Sequence, residues 1–444
     1  MNNKTKRTPK TSGLAYAAAV SLLTGALAAQ PTTPVDTARN DLPESRPDDG
    51  TSADSATYLR RARDTLIGVG DFAAALNPAR QVVEEQQPSP DQDYAADLVS
   101  LASIQAEIGE FDEAETNSLK AIELVETAEG EFSITLVDPY RSLGRAYIKG
   151  ARYPEAITAL EQAQHISQRN LGLFNIEQAG LLDDITTAYL GLGDTTEARR
   201  IQLERVANAI RRFGADDPRV IPFRYQLADY YQRSRMQISA REQYQEVLKS
   251  HEAQHGTDHP QLLGPLRQLV KVDLVTTQGE EDRAYSRLVS ILEQNEDIAA
   301  VERGLSLAVL GDWATVTGDT LAAGDYYKRA WEALSSQPDI DIDTYFAQPV
   351  MIDFIAPLTA VDRGARSRPY AWAAIVFEFD LSADGRVSNV RTVGAEAPLG
   401  VLESRYNRRL RETHFRPRIV AGEPVATNDV QFTHYFRYYV NEDG

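Results

Sequence analysis

The sequence contains no cysteine, and it has only three methionines, three tryptophans and six histidines among its 444 residues. The lack of cysteine excludes a small domain held by disulfides, and it also excludes a lipid-modified cysteine near the N-terminus. No phosphate-binding loop and no nucleophile with a matching base stand out in the chain. The sequence therefore predicts a protein without a cofactor that is not an enzyme.

Long apolar runs are also scarce, and the one that exists lies at the N-terminus. It extends from Leu14 to Ala29 and follows four basic residues. A basic start, a short apolar core and small residues at Ala26-Leu27-Ala28 are typical of a secretory signal. We expect cleavage after Ala28 and a periplasmic or extracellular mature protein. The alternative is an uncleaved membrane anchor, although about 20 apolar residues are usual for a spanning helix.

Positive charge is sparse, with 46 basic against 65 acidic residues and a net charge of −19. Lysine is absent from residue 349 onward, where 12 arginines balance 12 acidic residues. The excess negative charge therefore lies in the middle of the chain. Such a surface repels nucleic acid and anionic lipid, so we predict no nucleic-acid partner, and membrane contact only if the N-terminal segment is retained.

Residues 29–55 contain four prolines and few large apolar side chains. They predict a disordered linker between the signal peptide (1–28) and a helical region that begins at Ala56.

A motif of the form GDTTEAR recurs along the middle of the chain and indicates an internal repeat. Each copy has an alanine at one fixed place: Ala75, Ala114, Ala156, Ala198, Ala240, Ala284 and Ala323. Successive alanines are 39, 42, 42, 42, 44 and 39 residues apart. Each unit reads as two helices joined by a turn at which glycine permits a positive φ. Only a small side chain fits where the two helices cross, which accounts for the alanine.

These motifs resemble the tetratricopeptide repeat family over residues 56–335. The longer unit and linkers such as FGADDPRV (213–220) and HGTDHPQL (255–262) are similar to the kinesin-light-chain type of repeat. The resemblance implies a mostly α-helical fold, a right-handed α-solenoid of about seven helix hairpins. The fifth and sixth units depart from the pattern at Arg235 and Lys271, where we expect irregular geometry.

Residues 336–370 predict a connector that packs along the last helix, and the period then changes to two. Alternation over Ala371–Leu381, the Asp384-Gly385 turn, a returning strand, one helix and a last strand over 430–440 predict a small α+β (β-β-α-β) domain at 371–444.

The C-terminal region, from about residue 349, resembles the C-terminal domain of the TonB family. The match rests on FEFDLSADGRVSNVRTV (377–393), HFRPRIVAGEPV (414–425) and the closing QFTHYFRYYV. The resemblance implies that a partner strand adds to the edge of the sheet. The family's energy transducers keep a membrane anchor with a functional histidine, and residues 1–29 contain no histidine.

Three functions remain open. The first is an exported, non-enzymatic scaffold that binds protein segments, with an outer-membrane or periplasmic protein as the partner. The second is an anchored, TonB-related energy transducer acting on outer-membrane receptors. The third is a zinc peptidase, because His251-Glu252-Ala253-Gln254-His255 matches a zinc-binding pattern. A plain repeat end is the alternative interpretation of that motif.

Partner-binding residues are predicted on three surfaces. On the first helices of the units they are Arg141, Arg145, Lys149, Asp183, Thr187, Asp229, Gln232 and Arg233, together with Asp312 in the last unit. On the C-terminal helix they are Arg405, Arg408 and Arg409, near Arg411, Arg416 and Arg418. On the last strand they are Tyr435, Arg437 and Tyr439.

Each surface also has a plain interpretation, which for the last strand is an ordinary sheet strand covered by the helix on one side. Arg141, Arg145 and Lys149 form either an anchor for carboxylates or a solvated helix face. The C-terminal arginines either dock this domain on the acidic repeats, with strong salt dependence, or are solvated.

Overall fold

The computed structural model describes residues 52–86, 92–276, 283–337, 340–359, 361 and 370–439. The predicted signal peptide and most of the predicted linker lie outside these residues, as does Gly279 of the sixth repeat motif. The described chain is mostly helical, with strands near its C-terminus. Within it, no helix is long and apolar enough to cross a membrane.

The chain divides into two compact units, one up to Ala215 and one from Asp216. The first unit contains helices that follow one another with short turns: α1 (Ser52–Gly68), α2 (Phe72–Gln86), α3 (Gln92–Ile108), α4 (Phe111–Glu129), α5 (Val137–Lys149), α6 (Tyr153–Leu171), α7 (Ala179–Leu192) and α8 (Thr195–Phe213). Each odd-numbered helix packs against the even-numbered helix that follows it. The helical region starts at Ser52 rather than at the predicted Ala56.

The turn inside each helix pair repeats the same backbone conformation. Gly109, Ala151, Gly193 and Arg235 lie 42 residues apart, and their φ angles are 91°, 57°, 84° and 59°. Arg235 therefore keeps the left-handed turn of the other units instead of the irregular geometry expected there. The longer linkers between helix pairs also repeat one backbone conformation, since φ lies between 86° and 97° at Gly130, Gly172, Gly214 and Gly256.

The repeat alanines lie at the helix crossings, as the sequence predicts. Five of them have no exposed surface: Ala75, Ala114, Ala156, Ala198 and Ala240. Ala323 is 6% exposed, and Ala284 is half-buried. In both units the cores consist of such alanines with leucine, isoleucine and tyrosine from neighbouring helices.

The second unit continues the helix pairs and then adds the C-terminal domain. Its helices are α9 (Ile221–Arg233), α10 (Gln237–His255), α11 (Leu263–Thr276), α12 (Arg283–Gln294), α13 (Ala300–Thr317), α14 (Thr320–Ser335) and the short α15 (Ile342–Phe346). Phe346 is 1% exposed and packs into the core that α13 and α14 share, so this part of the connector lies along the last helix pair.

The C-terminal domain has a three-stranded antiparallel sheet, a helix and two short pairs of strands. The elements are β1 (Val350–Met351), β2 (Tyr370–Leu381), β3 (Val387–Ala395), α16 (Val401–Glu412), β4 (Phe415–Arg416), β5 (Arg418–Val420), β6 (Glu423–Val425) and β7 (Thr427–Tyr439). The sheet order is β3-β2-β7, while β1 pairs with β4 and β5 pairs with β6. The short strands are additional to the predicted β-β-α-β order.

Candidate protein-binding surfaces

The first helix of each pair contributes to what we call the first-helix surface. In the first unit α3 contacts α5 and α5 contacts α7, and in the second unit α11 contacts α13. Within each unit, side chains at matching places on contacting first helices therefore lie near one another. In the sequence, Thr187 of the first unit and Asp229 and Lys271 of the second occupy matching places of successive repeats, 42 residues apart.

The predicted basic row on α5 is bonded to both neighbouring first helices. Arg141 Nε donates to Asp184 Oδ2 at 2.5 Å, and Lys149 Nζ donates to Glu107 Oε2 at 2.7 Å. Between them, the Arg145 side chain is 51% exposed, and its Nε lies 3.9 Å from Asp184 Oδ1. Arg145 is thus the residue of the row that is most available to another molecule.

Asp183 and Thr187 on α7 are engaged within the first unit. Asp183 Oδ1 accepts hydrogen bonds from Arg205 Nη1 at 2.8 Å and from Gln202 Nε2 at 3.0 Å. Burial raises the pKa of Asp183, while the charge of Arg205 opposes that shift. Thr187 Oγ1 donates to the Asp183 carbonyl at 2.9 Å. A partner role for these two residues stays a prediction.

In the second unit, Asp312 is buried, whereas the sequence predicted that it faces solvent. Asp312 is 5% exposed because Arg416 of the C-terminal domain covers it. Arg416 Nε donates to Asp312 Oδ1 at 2.8 Å, and Arg416 Nη2 donates to Asp312 Oδ2 at 2.6 Å. The C-terminal domain therefore contacts the first-helix surface through a guanidinium–carboxylate pair.

Asp229 and Lys271 lie on the same surface beside this pair. Tyr244 Oη donates to Asp229 Oδ1 at 2.9 Å. Lys271 retains exposed surface, yet desolvation by the surrounding protein lowers its pKa; the charge of Arg416 adds to this shift and that of Asp312 opposes it. In the sequence, Lys271 stands out only as a departure from the repeat pattern. Its spacing of 42 residues from Asp229 was the available signal.

The other predicted residues of α9 lie near its C-terminal end. Gln232 is half-buried and Arg233 is exposed. On α16, Arg405 is half-buried, while Arg408 and Arg409 are exposed, and Arg409 Nη1 lies 3.4 Å from Glu412 Oε2. The contact with the repeats is thus made by Arg416 after this helix, and partner binding by the helix arginines stays a prediction.

The last strand, β7, pairs with β2 along its length. Tyr435 lies opposite Ala374, Arg437 opposite Trp372, and Tyr439 is also half-buried. The Arg437 guanidinium carbon is 5.9 Å from the centre of the Trp372 ring. In the sheet order of the described strands, β7 is at one end and β3 at the other.

The histidine motif occupies the last turns of α10, where its members make local contacts. Glu252 Oε1 accepts a hydrogen bond from Arg287 at 2.6 Å, and the ring of His259 caps the short helix that follows it. The rings of His251, His255 and His259 stack at centroid distances of 6.0 and 4.7 Å. Across the described residues, no three histidine, cysteine or acidic side chains are grouped so that they could hold a metal.

Comparison with known proteins identifies tetratricopeptide repeats in this chain. The family model described as "Tetratricopeptide repeat" matches residues 94–169, which include α4 and α5. No curated protein matches the chain.

Among solved structures, TPR-like repeats of a Podosopora anserina protein described as a kinesin light chain are 20% identical, covering 45% of this chain and 94% of that one at a TM-score of 0.38. BtubC (BKLC) from P. vanneervenii is 17% identical, covering 53% of this chain and 90% of that one, also at 0.38. A Rap protein complexed with competence and sporulation factor is 14% identical, covering 65% and 76% at 0.38.

Proposed function

We propose that this protein is an exported, non-enzymatic scaffold that binds protein segments on its first-helix surface. About seven helix hairpins in a right-handed solenoid would carry that surface. One observation carries the proposal: Arg416, which lies outside the repeats, is itself bound at Asp312. A surface that accepts one polypeptide segment through charge-assisted hydrogen bonds has the chemistry to accept another.

The experiment tests the exposed part of the surface in the first unit. Full-length protein, the Arg145→Glu variant and an Arg199→Glu control are used to recover partners from a periplasmic extract. Arg199 is exposed on α8, a second helix, so its reversal changes the net charge equally but leaves the first-helix surface intact. Loss of a charge-assisted hydrogen bond should lower recovery by about threefold or more for Arg145→Glu alone.

Circular dichroism should show the same helicity for all three proteins, since neither arginine is buried. Equal recovery of each partner by all three proteins would count against binding at the first-helix surface.

A second mode of binding, by strand addition at the C-terminal sheet, is supported by the position of β7 at the end of the described strand order. It fits a scaffold, and it fits the alternative of an anchored, TonB-related transducer as well. Sequencing the mature N-terminus separates these two. A start at Ala29 is expected for the scaffold, whereas an intact N-terminal segment would favour the anchored form.

A further inference from the structure

The second unit contains the same aspartate–tyrosine pair twice. In the last helix pair, Tyr327 Oη donates to Asp312 Oδ1 at 3.1 Å. In α9 and α10, Tyr244 Oη donates to Asp229 Oδ1 at 2.9 Å. Each aspartate is on a first helix, and each tyrosine follows it by 15 residues on the second helix of the same pair. The repeat architecture has therefore produced two sites of the same design.

One of the two sites is occupied by a known group. The planar guanidinium of Arg416 binds both carboxylate oxygens of Asp312, and Arg416 is only 6% exposed. Such a two-point hydrogen bond is specific to arginine, because a lysine ammonium cannot match both oxygens in one plane. The occupied site shows what an aspartate–tyrosine pair on this surface binds.

At the other site, no cation among the described residues is hydrogen-bonded to the aspartate. Within the described residues, Tyr244 is the one group that hydrogen-bonds the Asp229 carboxylate, and neither Lys271 nor Arg233 forms an ion pair with it. Burial raises the pKa of Asp229, while the hydrogen bond from Tyr244 and the charges of Arg233 and Lys271 oppose that shift. A guanidinium at this place would offset that desolvation.

We propose that Asp229 and Tyr244 form a receptor for an arginine side chain of a bound protein segment. This inference rests on the proposed function and names the ligand chemistry of one site within it. The Tyr225 ring, with its centre 5.9 Å from that of Tyr244, adds aromatic surface on which a guanidinium can stack. Lys271 interacts electrostatically with Asp312 as well as with Asp229, and Arg416 nonetheless forms two hydrogen bonds with Asp312.

The test uses fluorescent peptides with the sequence of residues 414–420, HFRPRIV, in which the first arginine matches Arg416. Variants carry lysine, alanine or glutamate at that place. Binding to the full chain is measured by fluorescence anisotropy for the wild type, Asp229→Asn, Tyr244→Phe and an Asp325→Asn control. Asp325 is an exposed carboxylate on α14.

We expect Asp229→Asn to weaken binding of the arginine peptide by about tenfold or more, because a charge-assisted hydrogen-bond pair is lost. Tyr244→Phe should weaken it by about threefold, since only one neutral donor is removed. Asp325→Asn should bind like the wild type. The lysine peptide should bind more weakly than the arginine peptide, and the alanine and glutamate peptides should bind least.

Two results would overturn the inference in different ways. If peptides bind but Asp229→Asn and Tyr244→Phe leave affinity unchanged, or if the lysine peptide binds as tightly as the arginine peptide, the arginine receptor is wrong and segment binding remains. If no peptide of any charge binds the wild type, the proposed function loses support as well. Matching circular dichroism spectra and melting temperatures establish that each variant is folded.

Discussion

At the scale of single residues, the turn at Arg235 shows how strongly the repeat imposes its backbone. Equivalent turns have glycine at 109 and 193, whereas residue 235 is an arginine with φ of 59°. An L-residue with a side chain pays a steric penalty in this region, because its Cβ approaches the following carbonyl. The folded state keeps this conformation because the packing of Ala240 and its neighbours holds the helices on both sides of the turn.

Arg235→Gly should therefore stabilise the protein. The left-handed conformation costs about 1–2 kcal/mol for an L-residue, and the greater freedom of glycine in the unfolded chain offsets about 0.4–1 kcal/mol of that. We expect a net gain of about 0.5–1 kcal/mol, measured by urea denaturation. The reverse change at the equivalent turn, Gly193→Arg, should lower stability by a similar amount. A loss of stability in Arg235→Gly would show that the arginine side chain has a stabilising role.

The sequence predicts which residues lie on first helices, but it does not predict which other groups contact them. The repeat period alone places Arg145, Thr187, Asp229 and Asp312 on first helices. It does not predict that Arg416, 104 residues from Asp312, covers that carboxylate. Pairing between distant residues depends on how two domains pack, and one-dimensional periodicity contains no information on that packing.

At the scale of helices and strands, small residues set how closely the helices approach. A Cβ added to Gly144 would lie 2.5 Å from Leu160 Cγ, and one added to Gly191 would lie 2.2 Å from Tyr153 Cε1. Glycine and alanine recur at these crossings because larger side chains would separate the helices. Close packing restricts the residue type at fixed intervals, and the repeat can therefore be recognised in the sequence.

Ala198→Leu should disrupt one such crossing. Ala198 has no exposed surface, so three additional carbon atoms must displace helix α8 or its neighbours. Overpacking of this kind costs about 1–3 kcal/mol, measurable as a lower midpoint in urea denaturation. Arg199→Leu introduces the same side chain at the adjacent, exposed position and should change stability by less than about 0.5 kcal/mol. Equal effects of the two variants would show that the repeat register is wrong.

The short strands were not predictable in the same way. β4, β5 and β6 contain two or three residues each, which is too short for an alternating pattern to be recognised. Ile419 in β5 nonetheless packs in the core of the last helix pair. These strands lie against the last helix pair, β4 against α13 and β5 and β6 against α14. Local sequence does not predict such a contact between domains.

At the scale of the whole molecule, the C-terminal domain covers the last helix pair. Ile419 is 4% exposed in the same cluster as Tyr327 and Leu334, and a Cβ on Gly422 would lie 3.6 Å from Trp331. A repeat array needs its terminal apolar surface covered, and here a domain of different architecture does so. The buried Asp312–Arg416 pair lies at this contact.

This arrangement changes the expected effect of salt on domain docking. The sequence suggested docking of exposed arginines on an acidic surface, which salt would weaken strongly. A buried ion pair with apolar contacts around it is screened much less. Docking should therefore persist at high salt, where pairs of exposed charges are largely screened.

Arg416→Ala tests how much this contact stabilises the full-length protein. Removing one partner leaves the Asp312 carboxylate buried without a cation, which typically costs about 3–5 kcal/mol. We expect a lower melting temperature for the second unit, measured by calorimetry of the full chain, with little change from low to high salt. Arg418 is exposed and lies two residues away, so Arg418→Ala should melt like the wild type.

A double variant, Arg416→Met with Asp312→Leu, should recover most of the lost stability, because burying two apolar groups avoids the uncompensated charge. If Arg416→Ala melts like Arg418→Ala, the apolar contacts of Ile419 alone hold the two domains together.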